Sequence, residues 1–164
     1  MGSGSEGHEE CAAPLGELLA TLGTHLLTGG GRGVMSAVSQ AFVRTKRRAG
    51  LCLAVLPGEI ASSRCDAPPG YPNEFVELAI RTHLPARGTE GASIQSRNWI
   101  NVMTSDALVF LPGGAGTDCE AAIARQLGKP AISFGGVASP QGIEPALTLS
   151  EVERFLRSEL GIAR

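Results

Sequence analysis

The stretch Leu111-Pro112-Gly113-Gly114-Ala115-Gly116-Thr117-Asp118-Cys119-Glu120 decides how this chain is read. An apolar run, Ala107-Leu108-Val109-Phe110-Leu111, precedes it, and a helical pattern over 119–127 follows. A strand therefore delivers a glycine-rich turn to a helix N-terminus, where backbone N–H groups and the helix dipole hold anions such as phosphate. Glycines let the backbone approach the anion closely, and Thr117 adds a hydroxyl or caps the helix. Glu120 is expected in the first helical turn, beside the bound group. An acid there repels phosphate, which points to chemistry next to it.

Working outward, Gly29-Gly30-Gly31-Arg32-Gly33 repeats the junction between a short buried strand over 24–28 and an amphipathic helix over 34–47. Before it, residues 9–22 read as a helix with Leu15, Leu18, Leu19 and Leu22 on one face, Pro14 in its first turns and Gly23 at its end. After it comes an apolar strand over 51–56, stopped by Pro57-Gly58. Residues 59–73 carry Pro68-Pro69-Gly70-Tyr71-Pro72 and no periodicity, the mark of a functional loop. Residues 75–80 read equally as a strand or a helical turn. Residues 93–105 look helical, with Ile94, Ile100 and Val102 offered to the core. A strand over 130–134 follows, then a closing helix over 150–160 begun by a Ser150/Glu153 capping box. This rhythm, with 22 glycines in 164 residues and few aromatics, predicts one α/β domain spanning 1–164 with right-handed crossovers and a parallel sheet.

The front of the chain is odd. Gly2-Ser3-Gly4-Ser5 reads like the turn after a first strand, yet no strand precedes it. Met1 ends a strand whose start was lost, or residues 1–5 are a tag, or the fold does without that strand.

Charge is nearly balanced at −2, which argues against a nucleic-acid groove or an anionic membrane surface. No apolar stretch reaches the length of a bilayer span, and the N-terminus lacks the basic start and apolar core of a signal peptide. Cys11, Cys52, Cys65 and Cys119 show neither CxxC nor metal-ligand spacing, so four reduced thiols in a cytoplasmic protein are expected, with no metal and no resident cofactor. The glycine turns contain neither GxGxxG with a downstream ribose-binding acid nor a Walker A lysine, which disfavours dinucleotide binding and nucleoside triphosphate hydrolysis. Arg97, in Ser96-Arg97-Asn98, lies about one short helix before the decisive turn and can clamp a phosphate or base. His83 reads as a loop histidine, Tyr71 as a stacking or loop-packing ring, and Trp99 as core or interface. Asp106 reads as a strand-entry acid, and the basic run over 44–48 as a solvated helix end.

These residues carry a resemblance. Thr28-Gly29-Gly30-Gly31-Arg32-Gly33-Val34-Met35, then Arg97, then Pro112-Gly113-Gly114-Ala115-Gly116-Thr117 with Glu120 resemble the Lonely Guy (LOG) family, once called lysine decarboxylase-like, over about residues 12–135. That family contains cytokinin-activating nucleoside-monophosphate phosphoribohydrolases. The resemblance implies a Rossmann-like, three-layer α/β/α fold with a parallel sheet, usually in a homodimer. It implies Arg97 and Glu120 as a catalytic pair, with Gly113, Gly114, Ala115, Gly116 and Thr117 as the phosphate cradle. Gly29, Gly30 and Gly31 would line the same cleft. The activity expected first is hydrolysis of a nucleoside 5′-monophosphate to free base and ribose 5-phosphate. Pyridoxal-phosphate chemistry is disfavoured, because no lysine is placed for it.

The chain also departs from the hydrolase pattern. Asn98 stands where those enzymes usually carry lysine, and Cys119-Glu120 stands where they usually carry two acids. The segment over 70–85 is foreign to them as well. These departures point toward the relatives that include molybdenum-cofactor carriers, and so to a second expectation: non-catalytic binding of a phosphorylated pterin.

Overall fold

Apolar residues at helical spacing and short apolar runs divide the chain into alternating elements. The computed structural model describes residues 1–59, 66–136 and 139–163. In order these are α1 (Glu9–Thr21), β1 (Leu26–Thr28), α2 (Val34–Arg44), β2 (Cys52–Leu56), β3 (Leu78–Arg81), a 3-10 turn (Gly88–Glu90) and α3 (Asn98–Thr104). They continue with β4 (Leu108–Phe110), α4 (Ala115–Gln126), β5 (Ala131–Phe134), β6 (Glu144–Ala146) and α5 (Leu149–Leu160). Cys65 and part of the loop over 59–73 lie outside the described residues.

Every strand pair is parallel, as the crossover rhythm requires. The strands form two sheets of three, β1-β2-β3 and β4-β5-β6, rather than one continuous sheet. Leu26 faces Cys52 in the first, and Leu108 faces Ala131 in the second. Met1 sits on the free edge of β4: its amino group donates to the Val109 carbonyl (2.9 Å), and Leu111 N donates to the Met1 carbonyl (2.8 Å). Ser3 N adds a bond to the Pro112 carbonyl (2.9 Å). Met1 thus holds the place of a strand's last residue.

Alternation along β4 builds the layers. Val109 and Leu111 join a core with Leu15 of α1, Val38 and Phe42 of α2, and Val152 and Leu156 of α5. Leu108 and Phe110 join a second core with Val102 of α3 and Ala121, Ile123 and Ala124 of α4. The result is the α/β/α Rossmann-like arrangement. No helix among the described residues is long and apolar enough to cross a membrane.

Several local expectations need correction. Helix α3 begins at Asn98 rather than near 93, and Ile94, ahead of it, is 85% exposed instead of core. Helix α4 begins at Ala115, four residues before the expected start, so Glu120 lies in its second turn. The capping box of α5 uses Thr148 and Glu151, because the helix starts at Leu149 and only Thr148 has the extended N-cap backbone. The open 75–80 segment resolves as a turn at its front and strand β3 from Leu78. Strand β6 was not foreseen, since Glu144-Pro145-Ala146 lacks strand formers. Helix α2 stops at Arg44, and the basic run beyond it is not merely solvated. Arg48 bonds Glu77 (2.5 Å) and lies over the Phe42 ring at 5.5 Å.

Helices α1 and α2 cross at Gly16, where an added Cβ would stand 2.5 Å from the Val38 carbonyl oxygen and 3.0 Å from Phe42 N. Backbone cannot step aside as a side chain can. Gly16→Val is therefore expected to lower stability by at least about 1–3 kcal/mol, read as a lower denaturant midpoint in chemical unfolding.

Candidate functional site

The order β3-β2-β1 on one side and β4-β5-β6 on the other places a crevice at the carboxyl ends of β1 and β4, where ligands of such folds bind. A cleft of about 510 Å³ opens there. Four turns border it: the one leaving β1 at Gly29, the one leaving β4 over 114–117, Gly2-Ser3-Gly4-Ser5, and the 3-10 turn at Arg87-Gly88-Thr89.

Helix α4 opens on Gly114 as N-cap, with no side chain capping it. In its first turn Thr117 N donates to the Gly114 carbonyl (2.8 Å), and the N–H groups of Ala115 and Gly116 border the cleft as an anion seat. Of its two expected roles, an added hydroxyl or a helix cap, Thr117 does not make the cap. Its hydroxyl instead packs over Gly113, where an added Cβ would collide with Thr117 Oγ1. A Cβ on Gly114 would meet nothing, so that glycine leaves open space toward the ligand position. Gly29 borders the cleft, whereas Gly30 and Gly31 are packed behind it. Gly30 (φ 73°) sits under Leu56 and Ala54, and Gly31 under Met35 and Tyr71.

Gly29 has a particular reason to be glycine. The Arg97 guanidinium lies on it, and a Cβ would stand 2.6 Å from Arg97 Cζ. Arg97 is 6% exposed, and its Nη1 donates to Asn98 Oδ1 at 2.8 Å. Its Nε has no hydrogen-bond partner among the described residues. The Asn98 departure thus acquires a structural reason: an amide oxygen accepts from the arginine, which a lysine could not do. Cys119, the other departure, turns its Sγ toward the Gly88 and Thr89 carbonyls, 3.6 and 3.8 Å away.

Glu120 is 7% exposed, with Oε1 3.8 Å from Arg97 Nη1, a pairing without a hydrogen bond. Burial pushes its carboxyl above the ordinary value of 4.5, against the opposing pull of the Met1 ammonium and then of Arg97. The two site residues predicted from separate parts of the sequence therefore meet. Residues 1–5, Tyr71, Arg87 and Asn98 also border the cleft. The glycine-serine turn at 2–5 was visible as a turn in the sequence, but nothing there tied it to the others. His83 and Asp106 do not border it.

The profile of the SLOG cluster4 family matches residues 1–156. An uncharacterized protein of Archaeoglobus fulgidus is 35% identical over 120 residues, covering 73% of this chain; the chain spans 66% of that relative's length. Among solved structures, the molybdenum cofactor binding protein of the phototrophic bacterium Rippkaea orientalis is similar with a TM-score of 0.71 and 27% identity, covering 93% of this chain and 88% of that one. The Moco carrier protein of Chlamydomonas reinhardtii shares the fold at a TM-score of 0.70 and 24% identity, covering 98% and 93%.

The Glu120 shift has a consequence for stability. Its folded value lies above its unfolded value, so the folded chain binds the extra proton, and stability falls as pH rises from about 4.5 through the raised value. Glu120→Gln removes that loss. The variant is expected to melt above the parent at pH 7 and to converge with it near pH 4, in thermal unfolding followed by circular dichroism.

Proposed function

The chain belongs to the SLOG cluster4 family, and from that premise we propose that it holds a phosphorylated small molecule without turning it over. The proposed cargo is a pterin phosphate of the molybdenum-cofactor kind. The observation that carries the reading is the uncapped N-terminus of α4, open to a cleft with the Arg97 guanidinium buried alongside. The phosphate would take the Ala115 and Gly116 N–H groups at the start of α4, and the unpartnered Nε of Arg97 would meet a further acceptor on the ligand. The molybdenum-cofactor binding protein of R. orientalis, 27% identical, supports this cargo class.

Glu120 fits binding better than its sequence position suggested. An ionised acid beside a phosphate repels it, but burial favours the neutral carboxyl, which can donate a hydrogen bond to an anion. A second reading, phosphoribohydrolase activity, rests on the convergence of Arg97 and Glu120 on one cleft. There Glu120 as carboxylate would stabilise positive charge at the sugar carbon or orient water, while Arg97 holds the substrate. We further propose a homodimer, supported by the exposed edge strand β3, where Leu78 and Ile80 are 46% and 42% exposed. The balanced charge and the absence of CxxC or metal-ligand cysteine spacing support a single cytoplasmic domain, with neither nucleic acid nor membrane as partner.

Titration calorimetry with molybdenum cofactor and a panel of nucleoside 5′-monophosphates, with chromatography for released base, separates the two readings. Expected are cofactor binding, no released base, and an affinity about ten- to a hundredfold weaker in Arg97→Ala. Base release that disappears in both Arg97→Ala and Glu120→Gln would establish the hydrolase instead.

A further inference from the structure

Arg97, Glu120 and the start of α4 account for the charged part of the ligand cleft, but not for its apolar border. Val34, Met35 and Val38 of α2, with Tyr71 in the loop after β2, supply that border. Val34 and Val38 are buried, whereas Met35 and Tyr71 are half-buried and keep surface for a ligand. Both lie on Gly31: a Cβ there would stand 2.8 Å from Met35 Cε and 3.0 Å from Tyr71 Cε1. With no side chain at 31 to part them, ring and thioether form one shelf over the glycine backbone. A tyrosine face stacks on a flat aromatic ring, and a methionine sulfur is drawn to one; a sugar or phosphate gains neither contact.

The loop that carries Tyr71 is tied to the same glycine turn. Asn73 N donates to the Gly30 carbonyl (2.7 Å) and Asn73 Nδ2 to the Gly31 carbonyl (2.8 Å). Asn73 Oδ1 in turn accepts from Phe75 N (3.1 Å), and Tyr71 N donates to the Pro68 carbonyl (3.1 Å). Asn73 thus fixes the loop to the turn after β1 on both sides of its own backbone. The ring is placed by the folded chain before a ligand arrives, so little freedom is lost on binding. The segment over 70–85, foreign to the hydrolase pattern, acquires a use at the cleft in this way.

We infer that Tyr71, with Met35 beside it, is the specificity-determining residue of the cleft: a fused heteroaromatic ring lies on this shelf while its phosphate takes the start of α4. The inference rests on the reading of the cleft as a seat for a phosphorylated ligand, and adds which residue reads the rest of that ligand. A phosphorylated arm alone satisfies the Ala115 and Gly116 N–H groups and Arg97 but leaves the shelf in water. A ring on the same arm adds apolar burial and stacking, and so is preferred.

The test is titration calorimetry on the full chain with two probes: neopterin monophosphate, a pterin ring on a phosphorylated arm, and glycerol 3-phosphate, a phosphorylated arm without the ring. The parent is expected to hold the ringed probe about tenfold or more tighter than the ringless one. Tyr71→Ala is expected to weaken neopterin monophosphate about tenfold while moving glycerol 3-phosphate less than about twofold, and Tyr71→Phe, which keeps the ring, to stay within about threefold of the parent for both. A loss in the cleft's shape alone would weaken both probes alike. Equal losses in Tyr71→Ala, or none, would overturn the inference and leave the binding reading standing. A parent that binds neither probe would overturn the inference together with the reading beneath it.

Discussion

The backbone pairing of β4 is the constraint on which the rest of the molecule depends. One edge takes β5 and the other takes Met1. Its side chains alternate between the two cores, Val109 and Leu111 toward one, Leu108 and Phe110 toward the other. Its end releases Pro112 and the turn that starts α4. A slip of one residue in that register would exchange the two faces and carry the anion-binding turn with it. The position of the site is thus set by backbone hydrogen bonds rather than by the side chains of the cleft.

Inside the site, the balance is between desolvation and charge. Arg97 and Glu120 are both buried, near enough to attract one another, but not in hydrogen-bond contact. The arginine keeps its charge under all ordinary conditions, whereas the carboxyl is drawn toward neutrality by burial. Burial thus weakens the acid's opposition to the fixed cation, which eases the conflict that an acid near an anion seat presents in the bare sequence.

What could be read in the sequence follows from how local each signal is. The turns at 29–33 and 113–117 were legible because glycines flanked by an apolar run and a helical pattern form a local code. Arg97 and Glu120 were legible as family positions. The start of α4 was misplaced because Gly113, Gly114, Gly116 and Thr117, all poor helix formers, surround Ala115 and hide the first turn, and the backbone at Gly114, not a side chain, sets the helix end. Ile94 was misassigned because periodicity cannot show where a helix begins, and α3 starts only after Ser96. The split into two sheets was hinted at by a turn-like Gly2-Ser3-Gly4-Ser5 with no strand pattern before it. The part played by residues 1–5 in the site depends on long-range pairing with Pro112 and Val34, which no local pattern encodes.

The hydrogen bond from Arg97 to Asn98 reaches beyond geometry. A guanidinium on a flexible stem normally surrenders rotamer freedom when it grips an anion, and that loss is subtracted from affinity. Here the freedom is already gone in the folded chain, because Asn98 and the flat face of Gly29 fix the head group. Recognition then needs little rearrangement, and the entropy of ordering is charged to folding instead of to each encounter. In the proposed binding role such a site would meet its ligand as a rigid mould, and selectivity would fall to the ligand's shape.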